Sequence, residues 1–386
     1  MRLFLTSLQK KQIVLVSFVY FIAAFALLFY YGVNSSGETF KYLLDAKSIA
    51  DGRSLNYGEF SYFFITYSLF LSIFIKCKIT LFIVAIIQIA LSYLAACSLY
   101  NLFLFRTNNH NLSILLFVCY LFCYSIQKWI FFIYSEGVHT SLVVIGFYVL
   151  VNLLHKYSIK NLIYFTALAI AIITTRPVGI LFLLAAYLTF IYNCYTQKKH
   201  SFLWVLLVVG VVLCIEVLNS PVRYFINPDS LKRMELICMV PQEGFTADYN
   251  QFNRTGLIGA FKVVQDDIGF LNFFKTGIKK LGLFFGFVRP YYSLKNNIFL
   301  ATNWLFYPFA LMGIFFCKHR QFRTIKVFSI LMILITALGI FVTCDDWSNR
   351  FIAPVFPFVI LLAALGFHHI YTNAKVFTQF QTKEIR

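Results

Sequence analysis

The residue best placed for chemistry is Glu38, which follows the first apolar run and stands one helical turn before Tyr42. A carboxylate at this position could act as a general base, because a positioned acid can accept the proton of an attacking hydroxyl. Acids at a helix start are also stabilised by the helix dipole, so an ordinary capping residue is the alternative interpretation.

Two further ionisable groups stand between later apolar runs. Glu136 lies in the sequence IYSEGVHT with His139 three residues on, and Arg176 precedes Pro177. Glu136 could orient a substrate hydroxyl or hold a metal, although one acid and one histidine make a weak metal motif. The alternative for Glu136 is a solvated turn. An arginine near membrane depth is a functional candidate, unless its side chain simply extends to the interface.

The stretch 270–297 is basic and rich in aromatic residues, which predicts a helix lying in the membrane interface with its cations at phosphate height. The residues that would meet a phosphate or lie beside it are Lys275, Lys279, Lys280, Arg289 and Tyr291. Binding to anionic lipid would explain the lysines equally well.

Asp345, Asp346 and Arg350 cluster immediately before the last apolar run. An ion pair within the chain is the simplest interpretation of this cluster. An arginine beside carboxylates at the mouth of a span would also seat a phosphate-bearing lipid.

These residues must be positioned by helices in a membrane. Hydrophobic residues make up 60% of the 386 residues and charged residues only 12%, about half the charged fraction of a soluble domain. The net charge of +18 is carried by short Lys/Arg clusters between apolar runs, which is typical of membrane topology and not of nucleic-acid binding. The nine cysteines form no CxxC pair, so we expect neither a disulfide framework nor a zinc site.

We predict an all-α integral membrane protein, a polytopic bundle of about ten transmembrane helices with amphipathic juxtamembrane helices in the first outer loop. The predicted spans are 12–33, 80–105, 113–134, 138–154, 162–175, 178–194, 202–218, 298–317, 325–343 and 351–371. The apolar stretch 61–75 is too short for a confident span and is expected to lie in the interface or re-enter the membrane.

The Lys/Arg clusters place both termini in the cytoplasm by the positive-inside rule. The segments 34–79 and 219–297 then become the two long outer loops, and 1–386 is expected to form a single transmembrane domain. Long ordered loops are usually functional. The composition weakly favours a bacterial plasma membrane.

The order of these motifs resembles the GT-C superfamily of glycosyltransferases that use polyprenyl-phosphate sugars, which includes protein O-mannosyltransferases and the aminoarabinose transferase of lipid A. The similar features are an acid after the first span with a tyrosine and a glycine-ended helix, a later acid between spans, an RPxG-like turn, and an RF..P..P segment. In this chain they fall on Glu38, Tyr42, Gly52, Glu136, Arg176, Pro177, Gly179, Arg350, Phe351, Pro354 and Pro357.

The resemblance implies an inverting transfer of a sugar to an acceptor hydroxyl on the non-cytoplasmic face. Glu38 would be the catalytic residue, and the partners would be the polyprenyl-phosphate-sugar donor, a glycolipid, glycan or protein acceptor and membrane lipids, without nucleic acid. The metal requirement is unknown, with a divalent ion as an open alternative. The candidate substrate-binding residues are Tyr42, Asp45, Glu136, Arg176, Lys279, Arg289, Tyr291, Asp345, Asp346 and Arg350.

Three other functions stay open. A lipid flippase or transporter would need charged residues buried within spans and paired halves. A polysaccharide polymerase or ligase would use arginines of a large outer loop, here Arg223, Arg233, Arg254 and Arg289. The third is a lipid-binding scaffold without catalytic activity.

Overall fold

The computed structural model describes residues 6–35, 37–56, 58–198, 210, 264–286, 288–341 and 349–384. The described residues are mostly helical, and we number their α-helices α1 to α14. They are Ser7–Tyr31 (α1), Thr39–Ala50 (α2), Ile65–Lys76 (α3), Leu81–Thr107 (α4), His110–Leu121 (α5), Tyr124–Gln127 (α6), Ser135–His155 (α7), Ile159–Thr175 (α8), Gly179–Thr196 (α9), Phe270–Gly286 (α10), Leu294–Ala301 (α11), Phe306–Phe315 (α12), Arg323–Ile340 (α13) and Phe356–Glu384 (α14).

Seven helical segments of the described residues are long and apolar enough to cross a membrane. They are Ser7–Tyr31, Leu81–Thr107, Ser135–His155, Gly179–Thr196, Leu294–Phe315, Arg320–Ile340 and Phe356–Asn373. The predicted class, a polytopic helical membrane protein, is therefore confirmed.

The predicted number of ten spans is not confirmed. The predicted span 113–134 is broken into two helical pieces bent by 48°, which would make an eighth span if they cross together. The predicted span 162–175 corresponds to α8, which is shorter than the seven candidate spans. The predicted span 202–218 lies outside the described residues except for Gly210.

The chain divides into two compact units. The first comprises residues 1–186, 293–333 and 353–386, and the second comprises 187–292 and 334–352. The expectation of a single domain stays a prediction.

In the first unit, the ends of α1 are set by local chemistry. Thr6 and Gln9 form a reciprocal capping box at its start, which satisfies two backbone donors that the helix leaves open. Gly32, with a φ of +69°, ends it. The helix begins several residues before the apolar run predicted from residue 12 and ends near the end of that run, so the sequence predicts its end better than its start.

The first loop folds into the two short helices that the sequence predicts there. Glycines with positive φ precede and follow α2, namely Gly37 at +63° and Gly52 at +71°. Helix α3 packs against α2 through buried aromatic and aliphatic side chains, including Tyr42, Tyr67 and Leu71. At 12 residues, α3 is too short to count among the seven candidate spans.

Helices α12 and α14 approach each other closely in the first unit. A Cβ atom on Gly313 would collide with the backbone oxygen of Leu362, and a Cβ atom on Gly366 would collide with that of Phe309. Small residues allow this backbone contact, as they commonly do between membrane helices.

In the second unit, α10 begins and ends within the stretch predicted to be an interfacial helix. It ends at Gly286, and the guanidinium of Arg289 then donates hydrogen bonds to the backbone oxygens of Leu283 and Val288. The helix is therefore shorter than the predicted stretch 270–297.

Candidate functional site

Glu38 lies at the N-terminal boundary of α2, but its side chain makes no capping hydrogen bond. Its Oε2 atom instead accepts a hydrogen bond from Lys41 Nζ at 2.9 Å. The carboxylate side chain is 12% exposed and the lysine side chain 8%. A charge pair this well shielded is weakened little by salt, so Lys41 holds the Glu38 carboxylate in a defined position.

Lys41 is positioned in turn by aromatic rings. Its Nζ lies 4.8 Å from the ring centre of Tyr42 and 4.4 Å from that of Phe64. Cations placed over aromatic faces in this way are attracted by the ring quadrupole. The carboxylate, the ammonium group and the two rings therefore form one assembly, which joins α2 to the turn before α3.

Tyr134 connects Glu38 to the segment before α7. The backbone N–H of Glu38 donates to the Tyr134 hydroxyl at 3.2 Å. Gly37 sits directly against the same hydroxyl, and a Cβ atom there would collide with it. Gly37 is thus required both for its positive φ and for this close approach.

Two tyrosines connect α2 and α3 to other helices. The hydroxyls of Tyr42 and Ser135 are 3.1 Å apart, and the Tyr67 hydroxyl donates to Gln88 Oε1 at 3.2 Å. Gln88 Nε2 donates to the backbone oxygens of Ile130 and Phe132, each at 2.9 Å. Burial raises the pKa of Tyr67 well above its ordinary value, helped by the nearby Tyr42 and Glu136, so Tyr67 stays a neutral donor.

Glu136 and Arg176 form a buried ion pair between Oε1 and Nη1. The solvated-turn interpretation of Glu136 is wrong, because α7 begins at Ser135 and Glu136 is 1% exposed. Arg176 is 7% exposed, and its guanidinium pairs with Glu136 inside the first unit.

Next to this ion pair lie polar atoms that have no hydrogen-bond partner. Arg176 Nε, His139 Nδ1 and Thr140 Oγ1 are buried without one. Buried polar atoms are normally satisfied, so this part of α7 and the α8–α9 turn can still accept or donate hydrogen bonds.

Backbone and hydroxyl contacts bring all these groups to one end of the first unit. Asn34, just after α1, exchanges backbone hydrogen bonds with Phe131 and Ile133 at 2.9 and 3.0 Å. Thr66 of α3 and Thr174 of α8 are joined through their hydroxyls at 2.6 Å. The end of α1, the start of α7 and the end of α8 therefore surround α2 and α3.

The opposite end of the same helices is basic. In α7, Glu136 lies in the first turn and Lys156 caps the other end. In α8 the order is reversed, since Lys160 lies near the start and Arg176 caps the end. Arg106 lies in the last turn of α4. At 1.5 Å per residue, the 21 residues of α7 separate the two ends by about 30 Å.

Asp45 is buried and is already used by the loop that follows α2. Its Oδ1 atom accepts hydrogen bonds from the backbone N–H of Asn56 at 2.9 Å and from Asn56 Nδ2 at 3.4 Å. The side chain of Asn56 also donates to Ser48 Oγ at 2.9 Å. These contacts give Asp45 a structural role, and its predicted role in substrate binding stays a prediction.

The candidates of the second unit differ in exposure. Lys279 and Tyr291 are exposed, whereas Arg289 is buried. Lys280 is 6% exposed and lies on the same face of α10 as the buried Gly277; its predicted place at phosphate height stays a prediction.

The remaining candidates lie before α14. Arg350 is half-buried in a turn. Asp345 and Asp346 lie outside the described residues, and their predicted roles stay predictions.

Sequence reasoning missed Lys41, Tyr134 and Ser135. A signal for Lys41 was present, because residues three apart face each other on a helix and an acid followed by lysine at this spacing forms a pair. Tyr134 and Ser135 contact α2 from 96 and 93 residues away, and no local pattern predicts such contacts. Among the described residues, no group of three or more His, Cys, Asp or Glu side chains could hold a metal ion.

The apolar helices and the buried polar cluster at one end of them define a polytopic helical membrane protein. In comparisons with protein-family models, curated proteins and solved structures, nothing matches this chain.

Proposed function

We propose that this protein is a membrane glycosyltransferase that moves a sugar from a polyprenyl-phosphate donor to an acceptor hydroxyl, with inversion at the anomeric carbon. The observation that carries the proposal is the Glu38 carboxylate, partly accessible, held by Lys41 and located where the first apolar helix ends. A fixed carboxylate at a membrane boundary suits a reaction between a lipid-borne sugar and a polar acceptor.

In the proposed reaction the acceptor oxygen attacks the anomeric carbon on the side opposite the phosphate. The new C–O bond forms while the bond from that carbon to the phosphate oxygen breaks, and polyprenyl phosphate leaves with the electron pair. The acceptor proton passes to Glu38, which acts as general base. Phosphate is already a good leaving group, so the protein has mainly to supply a base and cations.

Arg176 is the candidate of the first unit for contact with the donor phosphate. Its Nη1 atom pairs with Glu136, while its Nε makes no hydrogen bond, so the guanidinium retains donor capacity. Arginine suits phosphate because its planar fork of donors matches the oxygens. Lys279, Arg289 and Arg350 belong to the second unit, and their predicted contacts with phosphate stay predictions.

The opposite placement of the acidic cluster and the basic helix ends supports a site on the non-cytoplasmic face. Arg106, Lys156 and Lys160 lie at the end away from Glu136. Positive residues flanking spans remain in the cytoplasm. On this basis both termini are cytoplasmic, the site faces outward, and the bacterial plasma membrane is the proposed location.

The test is transfer of sugar from extracted polyprenyl-phosphate sugars to cell glycolipid and glycoprotein by the purified chain. Glu38→Gln is expected to abolish transfer while the protein stays folded and inserted in the membrane, with a thermal stability lowered by the loss of the pair with Lys41. The matched control is Asp51→Asn, which removes an exposed acid at the other end of α2. Transfer by Glu38→Gln at the wild-type rate would remove Glu38 as the base.

A lipid-linked-sugar transporter is the second candidate, and one observation favours it. Glu136 and His139, both buried, lie in the first two turns of a candidate spanning helix, and ionisable groups inside spans often mark transport pathways. Reconstituted vesicles distinguish the two functions. A transporter moves the lipid-linked sugar between leaflets without breaking the bond to phosphate, and Glu136→Gln would stop that movement.

A further inference from the structure

A polar cavity of about 380 Å³ lies at the basic end of the first unit, away from Glu38 and Glu136. It is lined by residues near the start of α1, the α4–α5 connection and the second half of α14, among them Gln9, Asn109, Asn111 and His368. The proposed function makes no use of this cavity.

The chemistry of the lining favours an anionic ligand. None of the described residues that line the cavity is acidic. Two helices, α1 and α5, begin beside it, and neither has an acid in its first turn. Helix N-termini favour negative charge, because their backbone N–H groups and dipole point at it.

Two amide side chains are oriented by their capping roles. Gln9 Oε1 accepts from the Thr6 backbone N–H at 2.9 Å, and Asn109 Oδ1 accepts from the Leu112 backbone N–H at 3.1 Å. Since both carbonyl oxygens are used in this way, each amide offers a ligand its NH₂ donors. The cavity therefore offers a ligand hydrogen-bond donors from the side chains of Gln9 and Asn109.

His368 supplies an independent observation. It lines the cavity, it is 7% exposed, and its Nδ1 atom is buried without a hydrogen-bond partner. His110, by contrast, is satisfied on both ring nitrogens, by Tyr100 at 2.9 Å and by Gln12 at 2.7 Å. His110 thus acts as scaffold, and His368 is the imidazole with an unused polar atom.

We propose that this cavity binds a phosphate monoester group. A phosphate accepts hydrogen bonds through several oxygens, which matches amide donors and two helix starts better than a neutral ligand would. The phosphate could be carried by a soluble molecule or by a lipid headgroup, since the proposed topology puts the basic end of the unit at the cytoplasmic membrane surface. Both sources share the same recognition chemistry.

The test compares ligand pairs that differ only in the phosphate, using the full chain in detergent micelles. The melting temperature is measured with glycerol 3-phosphate against glycerol, and with phosphatidic acid against diacylglycerol. Ligands that bind the folded state raise its melting temperature. We expect a rise with one or both phosphate-bearing members, and the responding member identifies the source.

The decisive variant is Asn111→Asp. An acid in the first turn of α5 is favourable for the helix, so the variant should fold, yet its charge would repel phosphate. Apparent affinity should fall about tenfold or more, the size expected for like charges a few ångströms apart near a protein surface. The matched control is Asn161→Asp, in the first turn of α8 and outside the cavity.

Two results would overturn the proposal. One is the absence of any rise in melting temperature with either phosphate-bearing ligand beyond that of its neutral partner. The other is an equal loss of affinity in Asn111→Asp and Asn161→Asp, which would reduce the effect to general surface charge.

Discussion

The hydroxyl of Tyr42 lies 3.1 Å from the hydroxyl of Ser135, the residue immediately before Glu136. This contact joins α2, which begins just after Glu38, to α7, whose first turn holds the acid of the buried ion pair. The two acids that the sequence marks separately therefore belong to one connected structure, and changes at either are expected to affect the other.

Because Glu38 and Lys41 are paired, the stability losses caused by substituting each of them should not add when the two substitutions are combined. Lys41→Met should destabilise the protein by on the order of 3 kcal/mol, because removing one member of a shielded pair leaves the other charge uncompensated. Combining it with Glu38→Gln should recover much of that loss. Thermal unfolding of the wild type, the two single variants and the double variant in detergent measures the coupling energy. Lys41→Arg is the charge-preserving control. Stability losses that simply add in the double variant would contradict the pairing.

The two glycines that flank α2 give a matched comparison. Gly37→Ala and Gly52→Ala both place a side chain at positive φ, at a cost of roughly 1–2 kcal/mol. Only at Gly37 does the new Cβ atom meet the Tyr134 hydroxyl, since nothing lies within 4 Å of the corresponding atom at Gly52. Gly37→Ala should therefore lower the melting temperature more than Gly52→Ala does. Adding Tyr134→Phe to Gly37→Ala removes the hydroxyl and should reduce that difference. Equal effects of the two alanines would exclude the close approach.

Because Glu136 and Arg176 form a buried ion pair, the stability of the protein should depend strongly on the side chain at position 176. Arg176→Ala should cost about 3–5 kcal/mol in stability, because it leaves a buried carboxylate without its counter-charge. Arg176→Lys should recover only part of this, since an ammonium group lacks the planar fork of donors. Urea or thermal unfolding in micelles gives the values, and Arg176→Lys behaving as wild type would argue against a directional contact.

The contact of α12 with α14 predicts sensitivity to small added volume. Gly313→Ala should destabilise the protein by about 1–3 kcal/mol, the usual cost of overpacking. The control is Gly282→Ala in α10, where nothing lies within 4 Å of the added atom; there alanine should be neutral or stabilising by about 0.5–1 kcal/mol. A neutral Gly313→Ala would show that the two helices can move apart without loss.

Helix positions were largely predictable because their signals are local. The apolar runs predicted most of the spans, and Gly52, the glycine expected to end the first-loop helix, does follow α2. The errors fall where length and apolarity are marginal. The predicted span 113–134 bends by 48° between its two helical pieces, and α7 begins at Ser135, before its apolar run.

The candidate site was predictable in its acids and arginine but not in its contacts. Glu136 pairs with Arg176 across 40 positions of the chain, and Glu38 is held by Tyr134 from 96 residues away. Such pairs depend on how helices pack, which a single sequence does not encode in any spacing. The burial of Glu136 follows from the same packing, which is why its solvated-turn interpretation failed.

The polar contacts of α1 have a consequence for the order of assembly during synthesis. Ser17, Gln12 and Tyr20 find their side-chain partners 76, 98 and 107 residues later in the chain. The first helix therefore enters the bilayer well before its partners leave the ribosome. Ser17 already donates to the Ile13 backbone oxygen within α1. Until their partners have been inserted, Gln12 and Tyr20 must be satisfied by water, lipid headgroups or the insertion machinery, and the helix has freedom to rotate about its axis. The arrival of α4, α5 and α6, which carry the three partners, fixes that rotation, and with it the direction in which the chain leaves the membrane towards Glu38.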